Sequence, residues 1–321
     1  MRYRHESKKG MVLTALALAV CVGFLQAHPR DRYEEKFDKT EPLARDGRVY
    51  LSNLAGDIEI RSWDKEEVKI EALKISESRS EERAKENADL VTIDVSRTDG
   101  VLRIETKYPR QMKFWGDDSM NVSVEYKLWI PAKASAEIKS VSGNVDLSAI
   151  GGSAKAGSVS GEITLRKASS GADLNSVSGN IDVEDVTGNV DLKTVSGNVI
   201  VSGVRGSVEA ESVSGGVELD GVTGASVVDA KTISGDVEYR GKIEARGSYR
   251  LKSHSGDVRM TIPADSAFSF EAETFSGDVD LDFQIEVSGK ISPREIRGVV
   301  NKGGADIRLT SFSGSIDLKK S

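Results

Sequence analysis

Residues 179–196 read Gly179-Asn-Ile-Asp-Val-Glu-Asp-Val-Thr187 and then Gly188-Asn-Val-Asp-Leu-Lys-Thr-Val-Ser196, two nine-residue units in one register. The same unit runs without slippage from Ala134 to Thr223. First places fall at Ala134, Gly143, Gly152, Gly161, Ser170, Gly179, Gly188, Gly197, Gly206 and Gly215. The third places (Ala136 to Val217) and fifth places (Ile138 to Leu219) are apolar throughout. So are the eighth places: Val141, Ile150, Val159, Ala168, Val177, Val186, Val195, Val204, Val213 and Val222. A fixed period of this kind marks a repeat architecture.

Val-Ser-Gly closes one unit and opens the next at 141–143, 159–161, 177–179, 195–197 and 213–215, every 18 residues. Two non-identical nines therefore make one coil. Third and fifth places share a strand face because strand side chains alternate. Nine residues accommodate one short strand and a tight corner, and Gly serves the corner because it reaches positive φ without a Cβ penalty. The reading is all-β: a β-solenoid of 18-residue coils with third, fifth and eighth places all lining a narrow interior. Each strand then pairs with its equivalent about 4.8 Å away on the next coil. Three aliphatics per unit cannot offset the ordering of nine residues, so stability has to be collective. A β-sandwich with regular hairpins fits less well, since its strands do not keep a fixed spacing. The Ala-rich stretch (Ala154, Ala156, Ala168, Ala172) predicts a local narrowing.

Aromatic residues make up 6% of the 321-residue chain while Gly numbers 31, which favours a thin aliphatic body over a bulky core. The net charge is −7, and residues 1–27 carry about +3, leaving near −10 for the remainder. That surface argues against a nucleic-acid partner. Residues 1–27 have the form of an export signal: Arg2, Arg4, Lys8 and Lys9, then the apolar run Met11 to Leu25, then Leu25-Gln-Ala27. Fifteen apolar residues are short for a membrane span, which needs about 20. Membrane contact is expected only if 11–25 is retained as an anchor. A lipid anchor on Cys21 is disfavoured by Val20 before it. Cys21 is the sole cysteine, so no disulfide framework is available.

Residues 28–47 read as a charged lead-in, and 48–321 as the repeat body. Residues 48–133 form its capping part, with strands at Arg48–Ser52, Gly56–Ile60 and Val68–Ala72. Trp63 reads as a cap over the solenoid end. One helix is predicted over 80–90, capped by Ser80, with Ala84, Ala88 and Leu90 inward. A hairpin follows around Thr98-Asp99-Gly100. The Phe114–Asp118 loop interrupts the pattern. Residues 134–223 are regular, and 224–321 are looser. There the motif persists at Ile233, His254, Phe275 and Phe312, at spacings of 20, 21, 21 and 37 residues. The extra residues are expected to bulge as loops or to lengthen strands, with the largest insertion at 284–304. Phe275 and Phe312, taken as inward, predict a wider interior at this end.

Leu51-Ser-Asn-Leu-Ala-Gly-Asp-Ile-Glu-Ile60, followed by Trp63-Asp64, Val68-Lys-Ile70 and the Ser-Gly-Asn/Asp-Val repeats, resembles the bacterial adhesin-like β-strand-repeat family called toastrack, over about residues 37–321. The resemblance implies an exported solenoid-like domain acting as an envelope surface, adhesion or signalling platform. It brings no catalytic motif.

The residues offer no catalytic, cofactor-binding or metal site. Of three histidines, His5 lies in the leader, His28 opens the mature chain, and His254 replaces a repeat valine, which reads as partly buried and satisfied. The repeated serines single out no nucleophile. Asp278, Asp280 and Asp282 alternate along a strand, which spreads them instead of curling them into a calcium cage. Asp146, Asp182, Asp191, Glu209 and Glu218 read as a solvated outer face. The expected function is a non-enzymatic module of the cell envelope, periplasmic or surface-exposed, binding an envelope protein or glycan. The alternatives are a partner in envelope-stress signalling and a polysaccharide-acting β-helix enzyme. Specific binding is expected where the register fails, at Phe114–Asp118 and 284–304.

Overall fold

A computed structural model describes residues 30–109, 120–287, 292 and 294–321. The export-signal reading of 1–27 and the Phe114–Asp118 loop lie outside these residues. Among those described, no helix is long and apolar enough to cross a membrane.

The nine-residue units become two kinds of strand. Units that open on the weaker junction make long strands: Ser135–Ser142, Ala154–Ser160, Ala172–Ser178, Val190–Ser196, Val208–Ser214, Val227–Ser234 and Ser248–Ser255. They stack in parallel as the body of a 14-stranded sheet. Units that open on Ser-Gly make short strands: Val145–Ser148, Ile163–Arg166, Ile181–Glu184, Val199–Ser202, Val217–Asp220 and Val237–Arg240. These form the body of a facing 13-stranded sheet. Pairing is in register, so like stacks on like: Ile163, Ile181, Val199, Val217 and Val237 form one ladder. A narrow third ladder joins Thr187, Arg205 and Thr223 at the second corner.

Third and fifth places are buried throughout the regular run, except Ala172, which is half-buried against the same core. The eighth places divide. Ile150, Ala168, Val186, Val204 and Val222, on the short-strand units, are buried as expected. Val141, Val159, Val177, Val195 and Val213, on the long-strand units, are 41–48% exposed, which overturns the inward assignment. Parity explains the split. A strand that continues straight puts its eighth residue on the face opposite the third and fifth. In the short units the chain leaves the strand at the seventh place. Ala149, Lys167, Asp185, Gly203 and Gly221 there have φ of 58°, 59°, 54°, 70° and 66°. This left-handed turn swings the eighth residue back inside.

The first coils are preceded by a cap. Arg48–Ala55 and Ile58–Trp63 stack on the first regular coil. Beyond them the 13-stranded sheet turns antiparallel through Asn121–Pro131, Glu67–Ser78 and Asp31–Pro42. The charged lead-in is thus partly a 12-residue edge strand. Its alternation is masked because charge sits on both faces; Phe37 meets the core and Glu35 accepts a 2.8 Å bond from the buried Lys74. The helix spans Glu81–Asp89, and the Ser80 hydroxyl accepts from the Arg83 N–H at 3.3 Å. Ala84 and Ala88 are buried; Leu90, expected inward, is exposed, and Val91 fills that role. The helix packs on Asp31–Pro42 and Glu67–Ser78. Trp63 covers no end: it sits half-exposed beside Trp129 at 6.4 Å and donates to the Glu67 carbonyl. The Thr98 hairpin forms as expected, with Asp99 and Gly100 at positive φ.

At the other end the stacking order departs from chain order. Ala305–Ser313 and Ile316–Lys320 lie between the coil of Ser248–Ser255 and Val258–Ile262 and the coil of Phe268–Ser276 and Val279–Leu281. The 284–304 insertion is largely a hairpin, not a bulging loop: Glu286–Val287 and Glu295–Val300 pair antiparallel and extend the 14-stranded sheet past Phe268–Ser276. The interior does take larger side chains here, but through Tyr239, Tyr249, Phe268 and Phe270, since Phe275 and Phe312 are outside. Tyr239 and Tyr249 meet edge-to-face at 5.4 Å, and each hydroxyl has a backbone partner.

Candidate interaction face

The repeated motif is consumed by the corner it builds. Just before the exposed valine, at the seventh place of each long unit, stands a buried hydroxyl. Thr194, Ser212, Thr232 and Ser253 donate to the carbonyls of Gly179, Gly197, Gly215 and Gly235 on the preceding coil, at 2.7 to 3.0 Å. The corner glycines stack directly. A Cβ on Gly197 would lie 2.2 Å from the Gly179 carbonyl oxygen, and one on Gly215 would lie 2.0 Å from that of Gly197. The residue after Gly ties coils together: the side-chain oxygens of Asn180, Asn198 and Asp236 accept from the backbone N–H of Asn198, Gly216 and Asp257. Gly and Asn/Asp of the motif are therefore structural, while its serines, Ser142 to Ser276, form an exposed row beside the corner.

The motif also leaves its valine outside. Strand pairing lines up Leu54, Val141, Val159, Val177, Val195, Val213, Ile233, His254, Phe312 and Phe275 in one row on the outer face of the 14-stranded sheet. At one spacing of about 4.8 Å per rung, the row is about 43 Å long. Exposure rises to 52% at Ile233 and 66% at Phe275. His254, Phe312 and Phe275 form a face-to-face stack, with centroids 4.8 Å apart at each step and ring planes 15° and 4° from parallel. His254, expected to be partly buried, is a ring in an exposed stack. A contiguous apolar strip of this length exceeds scattered surface hydrophobics and marks a contact face.

The strip is bounded on one side by the serines of the corner, Ser142 to Ser276. On the other side runs the sixth-place row, which includes Lys139, Gly157, Asn175, Lys193, Glu211, Lys231 and Lys252. Between this row and the valines lies a groove of about 790 Å³, from Asn175 to His254. Two of its lysines are held by acids of their own chain: Lys193 by Asp191 at 2.8 Å, and Lys231 by Glu211 and Asp229 at 3.2 Å.

The other sequence candidates do not converge. Asp278, Asp280 and Asp282 are exposed along the edge strand Val279–Leu281. Among the described residues no group of three or more His, Cys, Asp or Glu is placed to hold a metal. Asp146 and Asp191 face outward and pair with Arg166 and Lys193. Asp182 differs: burial, together with the Glu162 carboxylate on the preceding coil, pushes it up to about 6. The described part of 284–304 is a capping hairpin. The face that sequence reasoning missed lies in the regular repeat, and strand parity at the eighth place was the signal that could have found it.

Residues 49–319 match the family model described as Toastrack DUF4097, and the chain belongs to that family. Among curated proteins none matches. Three solved structures are similar across nearly the whole chain. One described as a "putative adhesin" from Bacteroides fragilis shares 12% identity over 89% of this chain and 97% of its own, with a TM-score of 0.38. Another so described, from Parabacteroides distasonis, shares 11% over 88% and 97%, at 0.35. A third, described as a "putative cell adhesion protein" from Clostridium sporogenes, shares 13% over 91% and 100%, at 0.23.

Proposed function

We propose that this Toastrack chain is an exported, non-enzymatic interaction module of the bacterial envelope, adhesin-like in character, and that it works through the exposed face of its 14-stranded sheet. The observation that carries this reading is the ten-rung apolar row from Leu54 to Phe275. A sheet whose interior is fully packed has no folding need for a second hydrophobic stripe on its solvent side, and such stripes mark contact surfaces. The rigid, in-register ladder presents that stripe preformed, which lowers the ordering cost of binding.

The reading is tested by pull-down from intact envelope with the wild-type chain and a V195K/V213K variant. Capture of envelope protein or glycan that the variant loses is the expected result. Equal capture by both would remove the apolar row from the function. Turnover of an anionic glycan by the chain would revive the enzyme alternative.

A further inference from the structure

We propose that the apolar row is the contact face of a two-fold homodimer, in which the rows of two copies run antiparallel with Val195 of each against Val213 of the other. The inference rests on the interaction-module reading of that face and names its partner. The first argument is periodicity. A partner lying along the row must offer apolar groups every 4.8 Å or so to meet each rung. An extended peptide places same-face side chains about 6.7 Å apart and falls out of step. A second copy of this chain has the required spacing by construction.

The second argument is charge, and it fixes the register. With the dyad between Val195 and Val213, the sixth-place rows face each other in reverse order. Lys193 then meets Glu211, Asn175 meets Lys231, Gly157 meets Lys252, and Lys139 meets Thr310. No lysine meets a lysine. Moving the dyad onto Val213 sets Glu211 against Glu211 and Lys193 against Lys231. Moving it onto Val195 sets Lys193 against Lys193 and Lys139 against Lys252. Like charges brought together across an interface are strongly disfavoured, so the neighbouring registers are rejected. The fourth-place acids Asp191 and Asp229 lie about 13 Å out from the row and are held by their own lysines.

Shape agrees with this register. The bulky His254–Phe312–Phe275 end lies over the partner's Leu54–Val141–Val159 end. There a Cβ on Gly157 would meet nothing within 4 Å, so the surface is open where Lys252 arrives. The apolar row and the sixth-place row beside it run unbroken for about 43 Å, so the contact is continuous over ten rungs.

The test uses the full chain with Cys21→Ser, so that no native thiol interferes. Sedimentation equilibrium should give a dimer of the 34.6 kDa chain. V195K/V213K should be monomeric with an unchanged far-ultraviolet circular dichroism spectrum, because both positions are exposed in the single chain. Lys193→Glu should weaken the dimer roughly tenfold or more, and K193E/E211K should restore it. A wild-type chain that stays monomeric at roughly 100 µM would overturn the proposal. So would a K193E/E211K chain as weak as K193E. A monomeric wild type whose envelope capture still needs Val195 and Val213 would remove the second copy as partner and leave the interaction module standing. Loss of both would remove the module reading too.

Discussion

Val195 and Val204 are the same residue at the same place of the same nine-residue unit, yet one is 47% exposed and the other fully buried. The unit does not decide their fate; the residue before each does. Thr194 continues the strand with its side chain inward, so Val195 points out. Gly203, at φ 70°, ends the strand, so Val204 points in. An apolar column in a repeat is therefore not automatically a core column. It becomes one only when the strand or the corner delivers it to the interior.

The two valines respond very differently to the same change. Val204→Asp puts an unpaired carboxylate into the core and should cost several kcal/mol, read as a large fall in denaturation midpoint. Val195→Asp should leave monomer stability within about 0.5 kcal/mol of wild type. Equal losses at both positions would refute the opposite orientations. Gly197→Ala attacks the corner that both units share. Its Cβ has to push back the Gly179 backbone, and a loss of roughly 2–4 kcal/mol is expected in urea titration. Asp185→Val tests the turn that sends Val186 inward. A β-branched residue at φ 54° is strained, and a loss of about 1–2 kcal/mol should follow. The smallest effect is expected on the outer face of the short strands. Asp182 has a folded pKa raised to about 6, above its unfolded value, so the folded state binds more protons through that window. Its contribution to stability is present below about pH 4 and is lost as pH rises to about 6. Asp182→Asn should flatten that decline and raise stability modestly at pH 7. An unchanged pH profile would show that neither burial nor Glu162 raises Asp182 in the folded state.

Much of the fold was legible because burial dictates period. Third and fifth places, the coil length, the Ser80-capped helix and the Asp99-Gly100 hairpin all follow from local rules that the structure keeps. The errors share one cause: a tertiary choice that composition does not encode. Val141 and its equivalents read as core because valine usually is, and Phe275 and Phe312 followed them outward. His254 was assigned to the interior only because valine was. The edge strand Asp31–Pro42 stayed hidden because its inward places hold Glu35, Lys39 and Glu41 alongside Tyr33 and Phe37. Binding was expected where the register fails, yet the longest contact face is the product of the register itself. It could have been found by asking which residues a straight strand would leave outside.

The placement of Ala305–Ser313 and Ile316–Lys320 between two earlier coils makes this segment a wedge on which both neighbours rest. Without residues 305–320, the coil of Ser248–Ser255 and Val258–Ile262 has an open edge on both sheets, and the coil of Phe268–Ser276 and Val279–Leu281 keeps only its antiparallel partner Glu295–Val300. A variant lacking residues 305–320 should expose unpaired edges on both sheets and the apolar side chains beneath them. Loss of one late segment should therefore loosen the whole end of the stack, where loss of an ordinary terminal coil would only shorten it.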